Sequence, residues 1–193
     1  VVGLGNPGDT YTATRHNIGF MVLEAVADRF GIALNRRKFN AILGRGAIDG
    51  SAVVLAEPQA FMNRSGPPVQ QLANYYRILC EDVLVIHDDI DLTFGRLKIK
   101  EKGGHGGHNG VRSLIDALGG GDFVRLRIGI GRSENGDGVA DHVLGRFNAQ
   151  EQSVLPDVIL RARDAVETIL RKGTKEGMNR FNNTSLINSS KAS

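Results

Sequence analysis

Four consecutive apolar residues, Val83 to Ile86, constrain the fold more than any other stretch of the chain. A short strand without polar positions is typical of a parallel sheet, because helices cover both faces of such a sheet. His87, Asp88, Asp89 and Asp91 follow this run within five residues. Acids after a central strand are costly to hold without partners, so the segment is either a metal or base-orienting site or a solvated turn. The run predicts an α/β fold, and taken alone the acidic segment favours the turn.

The first twenty residues predict a second strand end, followed by a polar loop. Residues 1–4 include three apolar side chains, and Asn6, Tyr11 and His16 then follow within one loop. Loops that leave a sheet edge are where open α/β folds keep their chemistry. The glycines of this stretch are expected to allow tight backbone turns; they are Gly3, Gly5 and Gly8.

The same glycines match G-x-G-x-x-G, the fingerprint of dinucleotide-binding folds. That fingerprint requires a helix to begin within the glycines, so that its N–H groups meet the pyrophosphate. Here Pro7 is followed by polar residues, and helical periodicity begins only at about Asn17. The glycines are therefore interpreted as turn residues around Asn6, and no dinucleotide cofactor is predicted.

Length and composition restrict the class of protein. At 193 residues, the chain is long enough for one domain with a substantial core. Its single cysteine, Cys80, excludes a disulfide framework and suits a reducing compartment. No apolar run approaches the roughly 20 residues of a membrane span, and no signal sequence is evident. We expect a soluble, cytoplasmic protein.

Turn and cap signals predict the remaining elements. Asp49-Gly50 predicts a hairpin between strands at 42–48 and 53–56, and Pro67-Pro68 predicts the start of a helix. Asn148 and Glu151 have the spacing of a capping box that opens the last long helix. The inner face of that helix is predicted to use Val154, Val158, Ala162, Ala165, Ile169 and Leu170. Residues 1–182 form the predicted domain, and the Asn/Ser-rich residues 183–193 are predicted to be disordered.

Two strand-like segments carry alternating cations. The segments at 96–100 and 123–128 each place basic residues on one face, namely Arg96, Lys98 and Lys100 in the first and Arg125 and Arg127 in the second. A solvated strand face explains one such segment, whereas two that flank a glycine loop also fit a phosphate-binding surface. The net charge of +3 does not decide between these interpretations.

The loop between them, Gly103 to Gly110, leads into a helix predicted at 111–118. Asn109 either caps this helix or reaches into a cleft. His105 and His108 are three residues apart, but the loop offers no reliable third ligand, so no metal site is predicted.

Six motifs in order resemble the bacterial-type peptidyl-tRNA hydrolase family. They are GLGNPG, TRHNIGF, FMNRSG, HDDIDL, GGHGGHNG and RLRIGIGR, and the likeness runs from Val2 to about Asn182. The resemblance implies a single α/β domain, with a twisted mixed sheet packed between helices, that is cytosolic, usually monomeric and without a cofactor. Members cleave the ester between a nascent peptide and the 3′-terminal adenosine of tRNA, which recycles the tRNA.

The residue chemistry is consistent with that reaction. His16 is the natural base, because only histidine has an ordinary pKa near neutrality, although a packed or capping histidine is the alternative. Asp88 would orient the imidazole and stabilise its cation. No serine or cysteine lies in a nucleophile elbow, which favours direct attack by water.

The resemblance also implies the residues that hold the substrate. Asn6 joins His16 and Asp88 in the catalytic group, and neutral amides suit a peptidyl ester of any sequence. The substrate-binding set is Tyr11, Phe61, Met62, Asn63, His108 and Asn109. The cations assigned to tRNA phosphates are Lys98, Lys100 and Arg127, with Arg96 and Arg125 as possible extensions. Core packing of Phe61 and Met62, and capping by Asn109, remain open.

A different function class also stays open. Relatives of this fold serve as non-catalytic RNA-binding splicing factors that retain the hydrolase cleft. Such a module needs an additional apolar or basic partner surface, or a transit peptide, and the sequence displays neither. Peptidyl-tRNA is the predicted partner, and no obligate protein partner is expected.

Overall fold

The computed structural model describes residues 1–133, 136 and 138–183, and within them a mixed sheet runs through the molecule. Its strands are β1 (Val2–Gly3), β2 (Arg36–Lys38), β3 (Ala41–Ile48), β4 (Ser51–Pro58), β5 (Leu84–Asp89), β6 (Leu97–Lys100) and β7 (Val124–Gly129). The helices are α1 (Ile18–Phe30), α2 (Gly66–Tyr76), α3 (Asn109–Leu118), α4 (Val139–Leu144), α5 (Ala149–Lys172) and α6 (Thr174–Phe181). The predicted disordered tail lies outside the described residues, apart from Asn183.

The strand order β2-β3-β4-β1-β5-β7-β6 combines a parallel centre with antiparallel edges. β1 pairs in parallel with β4 and β5, and β5 pairs in parallel with β7. β2, β3 and β6 pair antiparallel with their neighbours. The carboxyl ends of β1, β4, β5 and β7 therefore meet at one edge of the sheet, where open α/β folds bind ligands.

Helices cover both faces of the sheet. The larger apolar cluster joins the sheet to α1, α5 and α6, and it includes Val22, Leu55, Ile86 and Val166. A second cluster joins the opposite face to α2 and α3 through Val69, Val85, Leu114 and Phe123. β5 contributes to both clusters, as the apolar run 83–86 predicts. The predicted α/β class, with a mixed sheet packed between helices, is confirmed.

The turn and cap predictions are confirmed, with one error in a helix face. Asp49 and Gly50 both have positive φ, 54° and 81°, as a two-residue hairpin turn requires. Asn148 and Glu151 form the reciprocal hydrogen bonds of a capping box at the start of α5. The placement of Val154 on the inner face is wrong, because 41% of its surface is exposed.

The interpretation of the first glycines is only partly correct. Gly8 has φ of 104°, whereas Gly3 and Gly5 are not among the positive-φ residues. A Cβ on Gly3 would lie 2.4 Å from the carbonyl oxygen of Gly19 in α1, and one on Gly19 would lie 2.5 Å from that of Ile86 in β5. These residues therefore let α1 pack directly against the central strands. The start of α1 at Ile18 agrees with the periodicity that argued against a dinucleotide fold.

The acidic segment after the apolar run is not a solvated turn. β5 continues through His87 and Asp88 to Asp89, and the first two are only 4% and 2% exposed. Among the described residues, no helix is long and apolar enough to cross a membrane.

Candidate active site

A cleft of about 890 Å³ opens at the carboxyl edge of the central strands. Among its lining residues are ten that the sequence singled out, namely Asn6, Tyr11, His16, Phe61, Met62, Asn63, Asp88, Lys100, His108 and Asn109. Arg127 also lines it, whereas Lys98 lies one strand farther out, beside Arg127 in the β6–β7 register. Segments separated by up to about 120 residues in the chain thus converge on one opening.

His16 and Asp88 form a buried pair at the base of the cleft. Nδ1 of His16 lies 2.8 Å from Oδ1 and 2.9 Å from Oδ2 of Asp88. An ionised carboxylate only accepts, so Nδ1 carries the proton and Nε2 keeps its lone pair. Nε2 has no hydrogen-bond partner among the residues described here. The imidazole therefore has one fixed nitrogen and one nitrogen available as a base.

A second histidine donates to the same carboxylate. Nε2 of His108 lies 2.8 Å from Oδ1 of Asp88. Nδ1 of His108 accepts from the backbone N–H groups of Gly110 and Val111, at 3.1 and 3.3 Å. The start of α3 thus fixes the tautomer of His108 with its proton directed at Asp88. His108, and not Asn109, caps α3, so the capping role considered for Asn109 is wrong.

The surroundings of Asp88 favour its ionised form. Burial opposes ionisation, but the adjacent His16 and His108 rings outweigh burial and hold the pKa of this carboxyl well below its usual range. The neighbouring His87 has the opposite environment, since burial lowers its pKa to about 3 and keeps the ring neutral. Nδ1 of His87 donates to the carbonyl of Asp88 at 2.7 Å, while its buried Nε2 has no hydrogen-bond partner in the described part of the chain.

Asn6 is held in one orientation by its neighbours. Its Oδ1 accepts from the backbone N–H of Met62 at 2.7 Å. The backbone N–H and C=O of Asn6 both bond the side chain of Asn17, each at 2.9 Å. The amide NH₂ of Asn6 is therefore the part left to donate into the cleft. Asn17 is a supporting residue to which the sequence analysis gave no role, although it is the residue after His16.

The upper walls of the cleft are aromatic, apolar and amide side chains. Tyr11 and Phe61 meet edge to face with ring centroids 6.3 Å apart, and Phe61 is 57% exposed. Met62 is buried in the core cluster that also contains Leu4, so it packs and lines the cleft at once. Asn63 and Asn109 are exposed at the rim. Val139 and Leu144 on the apolar side of α4, for which no substrate-binding role was predicted, also line this opening.

The five candidate cations have different environments. Arg127 is ion-paired with Asp89. Arg125 is 3% exposed, and its guanidinium donates to the carbonyls of Gly103, Gly104 and Gly121, so the extension of the basic surface to Arg125 is wrong. Lys98, Lys100 and Arg96 form no ion pair with a described carboxylate. Arg125 instead anchors the glycine loop that carries His108.

Arg15, the residue before His16, links this segment to α4, which lines the cleft. Arg15 is 8% exposed and bonds Glu151 of α5, with Nη2 and Oε2 2.6 Å apart. Its Nη1 donates to the carbonyl of His142 in α4 at 3.3 Å, and its backbone N–H bonds that of Gly145. The same Glu151 side chain caps α5. The position of α4 over the cleft is thus linked to the segment that carries His16.

The site also contains one set of possible metal ligands. The ligand atoms of His16, Asp88 and His108 lie within 4.8 Å of one another. The two ring nitrogens that face the carboxylate both carry protons in the hydrogen-bonded arrangement described above, and a metal ligand must be deprotonated. The prediction of no metal site remains a prediction.

Comparison with known proteins agrees with the geometry. The model of the family described as peptidyl-tRNA hydrolase matches residues 1–189. The chain belongs to the peptidyl-tRNA hydrolase family. Proteins named peptidyl-tRNA hydrolase from Syntrophotalea carbinolica and Caldanaerobacter subterraneus are 49% and 47% identical, over 95% and 94% of this chain and 96% and 98% of their own.

A solved peptidyl-tRNA hydrolase from Acinetobacter baumannii has the same fold. It superposes with a TM-score of 0.89 at 42% identity, covering 95% of this chain and 94% of that one. The family resemblance and the ester hydrolase class predicted from the sequence are confirmed. The non-catalytic alternative is not favoured by these relatives.

Proposed function

We propose that this hydrolase cleaves the ester of peptidyl-tRNA by direct attack of water, with His16 as the general base. The single observation that carries the proposal is the His16–Asp88 pair, in which Nδ1 is occupied at 2.8 Å and Nε2 is left to the cleft. A base in this arrangement contributes about 10²–10⁴-fold to the rate. Asp88 keeps the productive tautomer and stabilises the imidazolium.

The reaction balances with these groups alone. Nε2 of His16 takes one proton from water while the oxygen attacks the ester carbonyl carbon. The resulting tetrahedral oxyanion collapses, the bond to the ribose oxygen breaks, and the proton on Nε2 passes to that oxygen. The products are a tRNA with a free 3′-terminal hydroxyl and a peptide carboxylic acid, which releases its proton to solvent at neutral pH, so the enzyme recycles tRNA.

Amide side chains on three loops suit the uncharged part of the substrate. The NH₂ of Asn6 is the best supported donor, because its oxygen is already bound by Met62. Asn63 and Asn109 line the rim and each offers a donor and an acceptor to peptide groups. Tyr11, Phe61 and Met62 supply apolar walls, while His108 acts through Asp88.

The tRNA moiety would lie on the β6–β7 side. Lys98, Lys100 and Arg127 share one face of these paired strands, since Lys98 is opposite Arg127 and Lys100 is opposite Arg125. Contacts with phosphates bind many tRNAs without reading their sequence. Arg127 would bind a phosphate only by sharing its guanidinium with Asp89. We propose that the enzyme acts as a monomer in the cytoplasm, where peptidyl-tRNA is produced.

The proposal is tested with matched substrates. An N-acetylated aminoacyl-tRNA, the corresponding free aminoacyl-tRNA and the protein are incubated, and release of deacylated tRNA is measured. Release from the N-blocked substrate alone supports the function, and binding of both without release supports the non-catalytic RNA-binding alternative. His16→Ala should lower kcat by about 10²–10⁴-fold and leave KM nearly unchanged. A kcat close to that of the wild type would remove His16 as the base.

A further inference from the structure

Three cations share one face of strands β2 and β3, at the edge of the sheet that is farthest from β6 and the proposed tRNA surface. Arg36 pairs with Leu43 and Lys38 with Ala41 in the antiparallel β2–β3 register, so both share the face of those buried residues. Arg45 lies two positions after Leu43 in β3 and joins the same face. Arg37 is opposite Ile42 and therefore lies on the other face. We call Arg36, Lys38 and Arg45 the edge cations.

The aromatic residues at the end of α2 lie among the edge cations. The ammonium of Lys38 lies 3.3 Å from the ring centroid of Tyr75, which is 55% exposed. The guanidinium of Arg45 lies 5.2 Å from the ring centroid of Tyr76. Phe39 packs edge to face on Tyr75 at 5.6 Å. The surface thus alternates positive charges with exposed aromatic area, as in many proteins that bind nucleic acids.

The charge of this surface is not compensated locally. The stretch 35–48 contains four basic residues and no acidic one, in a chain whose net charge is only +3. α2 also has no acidic residue, and Glu57 of β4 is opposite Ile42 and therefore on the other face. Several arginines elsewhere are paired with carboxylates, as Arg15, Arg127, Arg132 and Arg171 are. Among the described residues, no carboxylate forms an ion pair with an edge cation.

Protection of the sheet edge does not explain this surface fully. Basic residues on an edge strand discourage pairing with another chain, which accounts for β2. That role requires neither Arg45, which is on the second strand, nor the two tyrosines of a neighbouring helix. A uniformly positive face without acids favours a polyanion, and the proposed substrate of this enzyme carries RNA.

We propose that the edge cations and Tyr75 bind the sugar-phosphate backbone of RNA at a site separate from Lys98 and Lys100. The proposal rests on the proposed function for the identity of the polyanion. β2 and β6 are the two edges of the seven-stranded sheet. Six strand spacings of about 4.8 Å separate them by roughly 29 Å. The RNA segment bound here is therefore different from the one beside the cleft mouth on β6, and no base sequence is read.

The experiment isolates the new surface by removing the other one. Lys98→Gln with Lys100→Gln serves as the background, and a fluorescein-labelled 20-nucleotide single-stranded RNA without a 3′ ester is the probe. Fluorescence anisotropy gives the Kd between low and moderate salt. Arg36→Gln with Arg45→Gln should weaken binding about tenfold at low salt and reduce the slope of log K against log salt by about 1.4, since each single-strand phosphate contact contributes about 0.7.

Arg37→Gln is the matched control, because it removes the same charge from the same strand on the other face. It should leave both Kd and slope unchanged. An equal effect of Arg37→Gln, or no effect of the double change, would overturn the proposal, as would binding of a labelled polyglutamate peptide to this face without RNA binding. Arg36, Arg37 and Arg45 are exposed, and thermal unfolding checks the fold.

The assay requires no hydrolysis, so it is independent of the catalytic proposal. Failure of His16→Ala to lower kcat would overturn the mechanism and leave an RNA effect of the edge cations in place. Loss of the RNA effect with a normal His16→Ala result would overturn only the second site.

Discussion

Arg15 and Glu151 join the segment that carries the proposed base to the first turn of α5, with an Nη2 to Oε2 distance of 2.6 Å. Both side chains are largely buried, and Arg15 also bonds the carbonyl of His142 in α4. The pair therefore relates two parts of the cleft, the base at its floor and the helix at its rim. It is a positioning pair, because neither side chain lines the cleft.

Replacement of Arg15 by Lys should weaken this positioning without leaving Glu151 unpaired. Lysine keeps the positive charge, but it cannot make the bidentate contact with Glu151 together with the hydrogen bond to the carbonyl of His142. We expect KM to rise several-fold, to about tenfold, with a smaller change in kcat, because α4 lines the cleft but supplies no reacting group. Steady-state kinetics measure the split, and Arg163→Lys, which alters the more exposed Arg163–Asp164 pair, is the control. An unchanged KM would contradict the positioning role.

Replacement of Asp88 by Asn should remove most of the activity. Oδ1 of Asp88 contacts both histidines and Oδ2 contacts only His16, so an amide NH₂ at the Oδ2 position would set a donor against the Nδ1–H of His16, and the negative charge that stabilises the imidazolium would be lost. We expect kcat to fall about 10²–10⁴-fold with little change in KM. The double variant His16→Ala, Asp88→Asn should be no slower than His16→Ala, since the two residues act as a unit. Asp91→Asn, at an exposed carboxylate paired with Arg132, should be nearly neutral.

Removal of Lys98 and Lys100 should affect tRNA binding more than the chemical step. Their change to Gln should reduce the salt slope of tRNA binding by about 1.8, because each phosphate contact on a duplex contributes about 0.9. Hydrolysis of a short N-blocked aminoacyl ester of adenosine should be unaffected. The measurement is the Kd for deacylated tRNA over a series of salt concentrations. A slope equal to that of the wild type would exclude these lysines from the tRNA surface.

Glu57 should make stability depend on pH. Burial, together with the neighbouring Glu24, raises its pKa to about 7, and its Oε1 has no hydrogen-bond partner among residues 1–133, 136 and 138–183. Between pH 4.5 and 7 the folded protein therefore binds more protons than the unfolded chain, so the free energy of unfolding falls as pH rises. Glu57→Gln should raise the free energy of unfolding by up to about 3 kcal/mol at pH 8 and by almost nothing at pH 4.

Urea titrations at the two pH values check this prediction. Exposed Glu24→Gln is the matched control, because it removes the neighbouring charge without changing the buried site. At pH 8, Glu24→Gln should raise the free energy of unfolding by only a small part of the increase expected for Glu57→Gln. If the free energies of unfolding of the wild type and Glu57→Gln differed by the same amount at both pH values, the expected titration of Glu57 would be contradicted.

Local signals predicted most of the fold. The apolar run 83–86, the Asp49-Gly50 turn and the Asn148–Glu151 cap each depend on a few neighbouring residues, and each lies where the sequence indicated. Burial of Asp88 could not be predicted from its own segment. The buried carboxylate is stabilised by hydrogen bonds from His16 and His108, which are 72 and 20 residues away in the chain.

The site residues that the sequence missed have the same explanation. Arg125 alternates with apolar residues like a surface cation, yet its two terminal nitrogens donate to three carbonyls of two loops in the interior. Asn17 and Arg15 adjoin the proposed base, but their functions come from Asn6 and Glu151. The roles of such side chains depend on tertiary contacts, because their partners are distant in the sequence and a local pattern does not reveal them.

The direct contact of Gly19 with the backbone of Leu4 and Ile86 has a consequence for redesign of this enzyme. At Gly19 the first turn of α1 packs directly on main chain, so repacking of the surrounding side chains does not move the backbone that positions His16. A change of substrate preference would have to leave the position of His16 as it is and alter the rim residues on the loops and α4. Selection for altered specificity should therefore recover changes at the mouth of the cleft and none at Gly19.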